Sequence, residues 1–203
     1  MKFDKCIRFG KYLLSVNMQE CPPLYTEGIT NETESYEFCV FCDIDNIYYE
    51  KLLRATGRVA EIFKLSACLV LASREPQMDD DDREFGNYHV IFWDKVNYFD
   101  AWRIKQFMPV DPITLVAPRY YKYRTSVLRI ASKFDSDGKE IVEAPVFRAI
   151  FDFGHRMHEC SWAHYKFYML KYDLPKLKLR FDKSEKVFLI DYNTKVKKFV
   201  EVD

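Results

Sequence analysis

The order in which strand-like and helix-like segments alternate constrains this chain more than any other feature of its sequence. Residues 37–45 (EFCVFCDID) concentrate aromatic and β-branched side chains after a polar, turn-prone stretch at 31–35, and read as a strand. Over 47–63 the apolar residues Ile47, Leu52, Leu53, Val59, Ile62 and Phe63 recur near helical spacing, interrupted by Gly57. A short apolar run at 67–73 predicts a buried strand, and beyond a polar loop at 79–82 a further strand covers 88–93. Residues 98–108 predict a helix stopped by Pro109. Residues 127–131 predict a strand, with a turn at 135–138. The stretch 146–172 reads as helical with a break near Gly154 or Cys160, and 187–192 with 195–202 as a terminal hairpin. This order fits an α+β protein with helices packed on a largely antiparallel sheet. Residues 1–145 form its core, and 146–203 add a C-terminal helical segment and hairpin packed on it, within what reads as one compact unit.

Composition narrows the function classes. A chain of 203 residues, 48% hydrophobic, buries a sizeable core. Its longest unbroken apolar stretch, 67–72, is far too short to cross a bilayer. Charges at Lys2, Asp4 and Lys5 stand where a signal peptide needs apolar residues, so the expectation is a cytoplasmic protein without a membrane partner. In that setting the six cysteines are reduced thiols. Gly10, Gly28, Gly57, Gly86, Gly138 and Gly154 all stand alone, so neither a P-loop nor a G-x-G-x-x-G turn can be written. A chain of this kind that handles nucleotides must hold their phosphates with side chains.

Three constellations carry candidate chemistry. In Asp43-Ile-Asp45 the two carboxylates share one strand face while Cys42 and Ile44 take the other. Such a pair suits a divalent cation, or else begins a solvated turn. Asn87 and His89 share a face at the start of the next hydrophobic strand, where the histidine can bond a phosphate oxygen or a backbone carbonyl. Arg129 and Lys133 lie on one face of Ser126-Val-Leu-Arg-Ile-Ala-Ser132-Lys133, preceded by Arg119, Lys122 and Arg124. They can converge on a polyanion or form a solvated cationic face.

These motifs, in this order, resemble the archaeo-eukaryotic primase superfamily, and most closely its primase-polymerase members. Asp43 and Asp45 match the D-x-D pair, and Asn87-Tyr-His89 matches S-x-H with Asn in place of Ser. Val110-Asp111 matches a later lone carboxylate, and Arg129 with Ser132-Lys133 matches a strand bearing R and S-K. The resemblance covers roughly residues 36 to 135. It implies an RRM-like catalytic core in which Asp43, Asp45 and Asp111 hold two Mg²⁺ or Mn²⁺ ions. Asn87, His89, Arg129, Ser132 and Lys133 would then bind the incoming nucleoside triphosphate. The implied activity is template-dependent nucleotidyl transfer in DNA replication, on a single-stranded DNA template and beside a helicase or other replication protein. The implied location is cytoplasmic, the host cytoplasm for a viral or plasmid protein. A primase-fold protein that binds single strands without incorporation is the alternative. A haloacid-dehalogenase-type phosphatase ranks below it, because Asn46 stands where that family expects Thr or Val, and a rolling-circle nuclease ranks lowest.

Other signals are weaker. Cys39 and Cys42 have C-x-x-C spacing, but on a strand their sulfurs point to opposite faces, whereas a zinc knuckle needs a turn. His155, His158, Cys160 and His164 fall within ten positions, with His155 and His158 on one helical face, and make zinc a secondary cofactor candidate. Tyr120, Tyr121 and Tyr123 alternate with Arg119, Lys122 and Arg124, a pattern suited to stacking bases and contacting phosphates or to a half-packed edge strand. Lys176, Lys178 and Arg180 alternate with leucines, as on a solvent-facing strand or a nucleic-acid track.

Overall fold

The computed structural model describes residues 2–9, 12–19, 27–35, 37–110, 115, 126–135, 137–191 and 197–202. It is a mixed α+β protein whose strand pairs are antiparallel. The first two strands, β1 (Lys2–Phe9) and β2 (Tyr12–Gln19), pair with one another.

The central sheet contains β4 (Phe38–Tyr48), β5 (Ala67–Ala72), β6 (Gln77–Met78), β7 (Glu84–Val96) and β11 (Val146–Asp152). Its order is β11-β5-β7-β4, with β6 also on β7. Because β4 and β5 both run antiparallel to β7, the unit β4, α1 (Tyr49–Phe63), β5 is a split β-α-β crossover. The second sheet has the order β13-β12-β3-β8. It is built from β3 (Glu27–Thr30), β8 (Val127–Arg129), β12 (Lys186–Asp191) and β13 (Lys197–Glu201). A small pair, β9 (Lys133–Phe134) with β10 (Glu140–Val142), follows β8.

Period-two alternation in the central strands divides the core in two. Val40, Cys42 and Ile44 of β4, with Tyr88, Val90 and Phe92 of β7, face α1 and α2 (Tyr98–Phe107) and pack on Leu52, Val59, Ala60, Ala101 and Ile104. Cys39 and Phe41, with Ile91 and Trp93, face the second sheet and α3 (Trp162–Tyr172), meeting Ile29, Leu128, Val187, Tyr165 and Tyr168. The two sulfurs of the C-x-x-C stretch therefore lie on opposite faces, both buried. Burial pushes the Cys42 thiol up to about 12, so neither thiolate chemistry nor a shared metal arises there.

Several boundaries differ from the sequence reading. The strand at 37–45 continues to Tyr48, and α1 runs through Gly57 unbroken, because a single glycine costs a helix little beside the burial of its apolar stripe. Residues 146–172 are not one broken helix: Val146–Asp152 pairs with β5, and only Trp162–Tyr172 is helical. Its near-continuous apolar run suits a strand as well as a buried helix, and pairing with β5 decides between them. The hairpin strands near the C-terminus pair as expected, and β12 also joins β3. The chain beyond 145 thus contributes to both sheets. Among the described residues no helix is long and apolar enough to cross a membrane.

Candidate functional site

Register places the motifs side by side. Asp43 of β4 pairs directly with His89 of β7, and His89 in turn pairs with Leu71 of β5. Two residues along, the Ser73 amide donates to the Asn87 carbonyl at 2.8 Å. The side chains of Asp43 and His89 project on the face away from α1 and α2, because their neighbours Cys42, Ile44, Tyr88 and Val90 fill the helix side.

Between Ile44 and Ile47 the β4–β7 register shifts, and Asn46 adopts φ 54°. This bulge carries Asp45. Asn46 donates its backbone N–H to Asn87 Oδ1 at 2.8 Å, so Asn87 fastens the strand that bears Asp43 and Asp45.

Asp43, Asp45, Asn87, His89, Arg129 and Lys133 all line one cleft of about 330 Å³. Ser73, Arg74, Val127 and Val142 complete it. The carboxylates enter from β4, the histidine and asparagine from β7, and the cations from β8, β9 and the end of β5. Arg129 and Lys133 do not belong to one strand, as the sequence suggests: β8 stops at Arg129 and Lys133 opens β9, yet both reach the same cavity.

His89 is buried, only 3% exposed. Burial, and then the positive charges of Arg129 and Lys133, depress its pKa to about 3, so the ring is neutral near pH 7. Its Nε2 lies 3.4 Å from Asp43 Oδ1, a polar approach rather than an ion pair. Its buried Nδ1 has no hydrogen-bond partner among the described residues. A proton on Nε2 faces a carboxylate and leaves only a lone pair orphaned, whereas a proton on Nδ1 would bury an unsatisfied N–H. The Nε2–H tautomer follows, and it gives the cleft a neutral donor that an anionic oxygen can take over.

Arg129 is used differently from a free cation. Its guanidinium donates to the backbone carbonyls of Ser73, Ala131 and Glu143, tying three segments of the cleft wall together. Among the described residues Lys133 and Arg74 make no ion pair, and both border the cavity. Arg74 was not singled out from the sequence. The signal available was its place directly after a buried strand that pairs with the His89 strand.

The remaining candidates separate. Ser132 does not line the cleft. Asp111, Arg119, Tyr121, Lys122 and Arg124 lie outside the described residues, as do Tyr120 and Tyr123. His155 and His158 share no helical face: both precede α3, where His155 meets Glu61 at 3.0 Å and His158 Nε2 meets the Phe63 carbonyl at 3.2 Å. His164 is buried on α3 between Ser161 Oγ and the Thr30 carbonyl, each at 2.8 Å, and Cys160 is buried. The four are thus engaged or buried apart, and among the described residues no three His, Cys, Asp or Glu side chains gather as a metal site. Asp79 ties the acidic loop, accepting from the Asp81 and Arg83 amides and pairing with the exposed Arg83. At 174–180 there is no strand, although the Lys176, Lys178 and Arg180 side chains are exposed while Leu177 and Leu179 pack inward.

No protein-family profile, curated protein or solved structure matches the chain.

Proposed function

We propose that this chain is a primase-polymerase-like nucleotidyltransferase with an RRM-like catalytic core, joining nucleoside triphosphates on a single-stranded DNA template during replication. One observation carries the reading: six motif residues spread from Asp43 to Lys133 converge on one cleft, the carboxylates from β4 and the cations from β8 and β9. The split β-α-β unit with α1 and α2 on one face, and the cleft on the other, is in keeping with an RRM-like core.

The donor set fits a hard divalent cation, which takes carboxylate oxygens. Asp43 and Asp45 would hold Mg²⁺ or Mn²⁺, with Asp111 as the further carboxylate that the resemblance supplies. When bound, such ions activate a 3′-hydroxyl and neutralise charge on the leaving pyrophosphate. The chain's own residues do the rest. Lys133 and Arg74 draw a polyphosphate into the cleft that the carboxylates also line. His89 donates Nε2–H to a phosphate oxygen without adding charge. Arg129 fixes the wall by its three carbonyl bonds and supplies positive potential behind it.

Incorporation of nucleotides onto a primed single-stranded template in Mn²⁺ tests this. Wild-type protein should extend the primer, and Asp43→Ala with Asp45→Ala should abolish extension while keeping the same thermal midpoint. Release of phosphate from a simple phosphomonoester, without extension, would favour the phosphatase reading instead. Single-strand binding with no metal-dependent extension would favour the inactive primase-fold alternative.

A further inference from the structure

We infer that Asn87 acts through its side-chain carbonyl as a positioning residue for the Asp43/Asp45 pair. The inference rests on the metal-site reading above, and it departs from the role that the S-x-H resemblance gives this position. Asn87 is buried, and its side-chain carbonyl is spent on the Asn46 amide at 2.8 Å. That amide belongs to the residue immediately after Asp45, at the point where β4 leaves register with β7 and φ turns to 54°. A bulged residue has lost its ladder partner. Without a substitute, the backbone there is free to rotate, and Asp45 rotates with it. The Asn87 bond is that substitute. It crosses from β7 to β4 and sets the direction in which the second carboxylate enters the cleft.

Serine cannot do the same work. Its hydroxyl sits one bond closer to the backbone than the asparagine Oδ1, so across a separation that asparagine spans at 2.8 Å it falls short. The asparagine therefore belongs with the bulge, and the pair Asn46/Asn87 is how this chain aims its acidic pair.

The test uses the full chain and two probes. Mn²⁺ binding is followed by electron paramagnetic resonance, and inorganic triphosphate binding is measured in the presence of a chelator. Asn87→Ser should weaken Mn²⁺ binding about tenfold or more and leave metal-free triphosphate binding within about twofold. Asn87→Asp keeps an acceptor for the Asn46 amide and should bind Mn²⁺ at least as tightly as wild type. Amide exchange gives a reading independent of metal: the Asn46 amide should exchange faster in Asn87→Ser and stay protected in Asn87→Asp, with β5 amides unchanged in both. If Asn87→Ser binds Mn²⁺ like wild type, or loses triphosphate binding instead, the positioning role is wrong while the metal site stands. If Mn²⁺ binding is absent from wild type, or survives Asp43→Asn with Asp45→Asn, the metal-site reading itself fails and this inference with it.

Discussion

At the scale of single residues, the cleft holds groups whose ordinary chemistry has been changed by burial. His89 is depressed to about 3, and His164, enclosed by Ser161 and Thr30, to about 4, in both cases chiefly by burial. In the unfolded chain each returns to the ordinary histidine range near 6.5. The unfolded state therefore binds more protons as pH falls below about 6.5, and stability held at neutral pH drains away down to pH 4 and below. Urea unfolding across pH 7 to 4 should show a loss approaching about 1.4 kcal/mol per pH unit for each histidine over the steep part of that range. His89→Gln should reduce the slope, and an unchanged slope would mean that His89 is not buried neutral. Arg129 makes a second prediction. Lysine has no planar fork to span the carbonyls of Ser73, Ala131 and Glu143, so Arg129→Lys should cost about 3 kcal/mol in chemical denaturation. A near-neutral result would return Arg129 to the role of a simple surface cation.

At the scale of elements, the parts of the site that lay within one strand were legible from sequence. D-x-D on one face, Cys42 and Ile44 on the other, and Asn87 with His89 on a shared face all follow from the period of two, and the strands carry them so. What sequence could not give is set by partners far along the chain. Arg129 and Lys133 sit on separate strands because β8 pairs with β3, about a hundred residues earlier, while Lys133 turns back to β10. Residues 146–152 become a strand because β5 offers them an edge, which no local pattern announces. The bulge at Asn46 was invisible for the same reason: its pinning bond comes from β7. Gly57, read as an interruption, is instead an interior helical residue where an added Cβ would meet nothing within 4 Å. Gly57→Ala should therefore stabilise the protein by about 0.5–1 kcal/mol, measured by thermal or urea unfolding. Destabilisation there would mean that α1 packs on something that uses the missing side chain.

At the scale of the whole molecule, equal numbers of acidic and basic residues, 31 of each, conceal a separation that the fold puts to use. The central sheet brings carboxylates from β4 to the same cavity that receives cations from the ends of three other segments. Glycine scarcity leaves a site made of side chains as the form that nucleotide chemistry would take in this chain. Under the proposed function this cleft binds a divalent metal at Asp43 and Asp45 and a polyphosphate near His89 and Lys133. The most direct measurement is a crystal structure with Mn²⁺ and a non-hydrolysable nucleoside triphosphate, located by anomalous scattering. The proposed function requires Mn²⁺ between Asp43 and Asp45, with phosphate oxygens within hydrogen-bond reach of His89 Nε2 and Lys133. A triphosphate bound elsewhere on the molecule, or manganese absent from the Asp43/Asp45 pair at millimolar concentration, would contradict it.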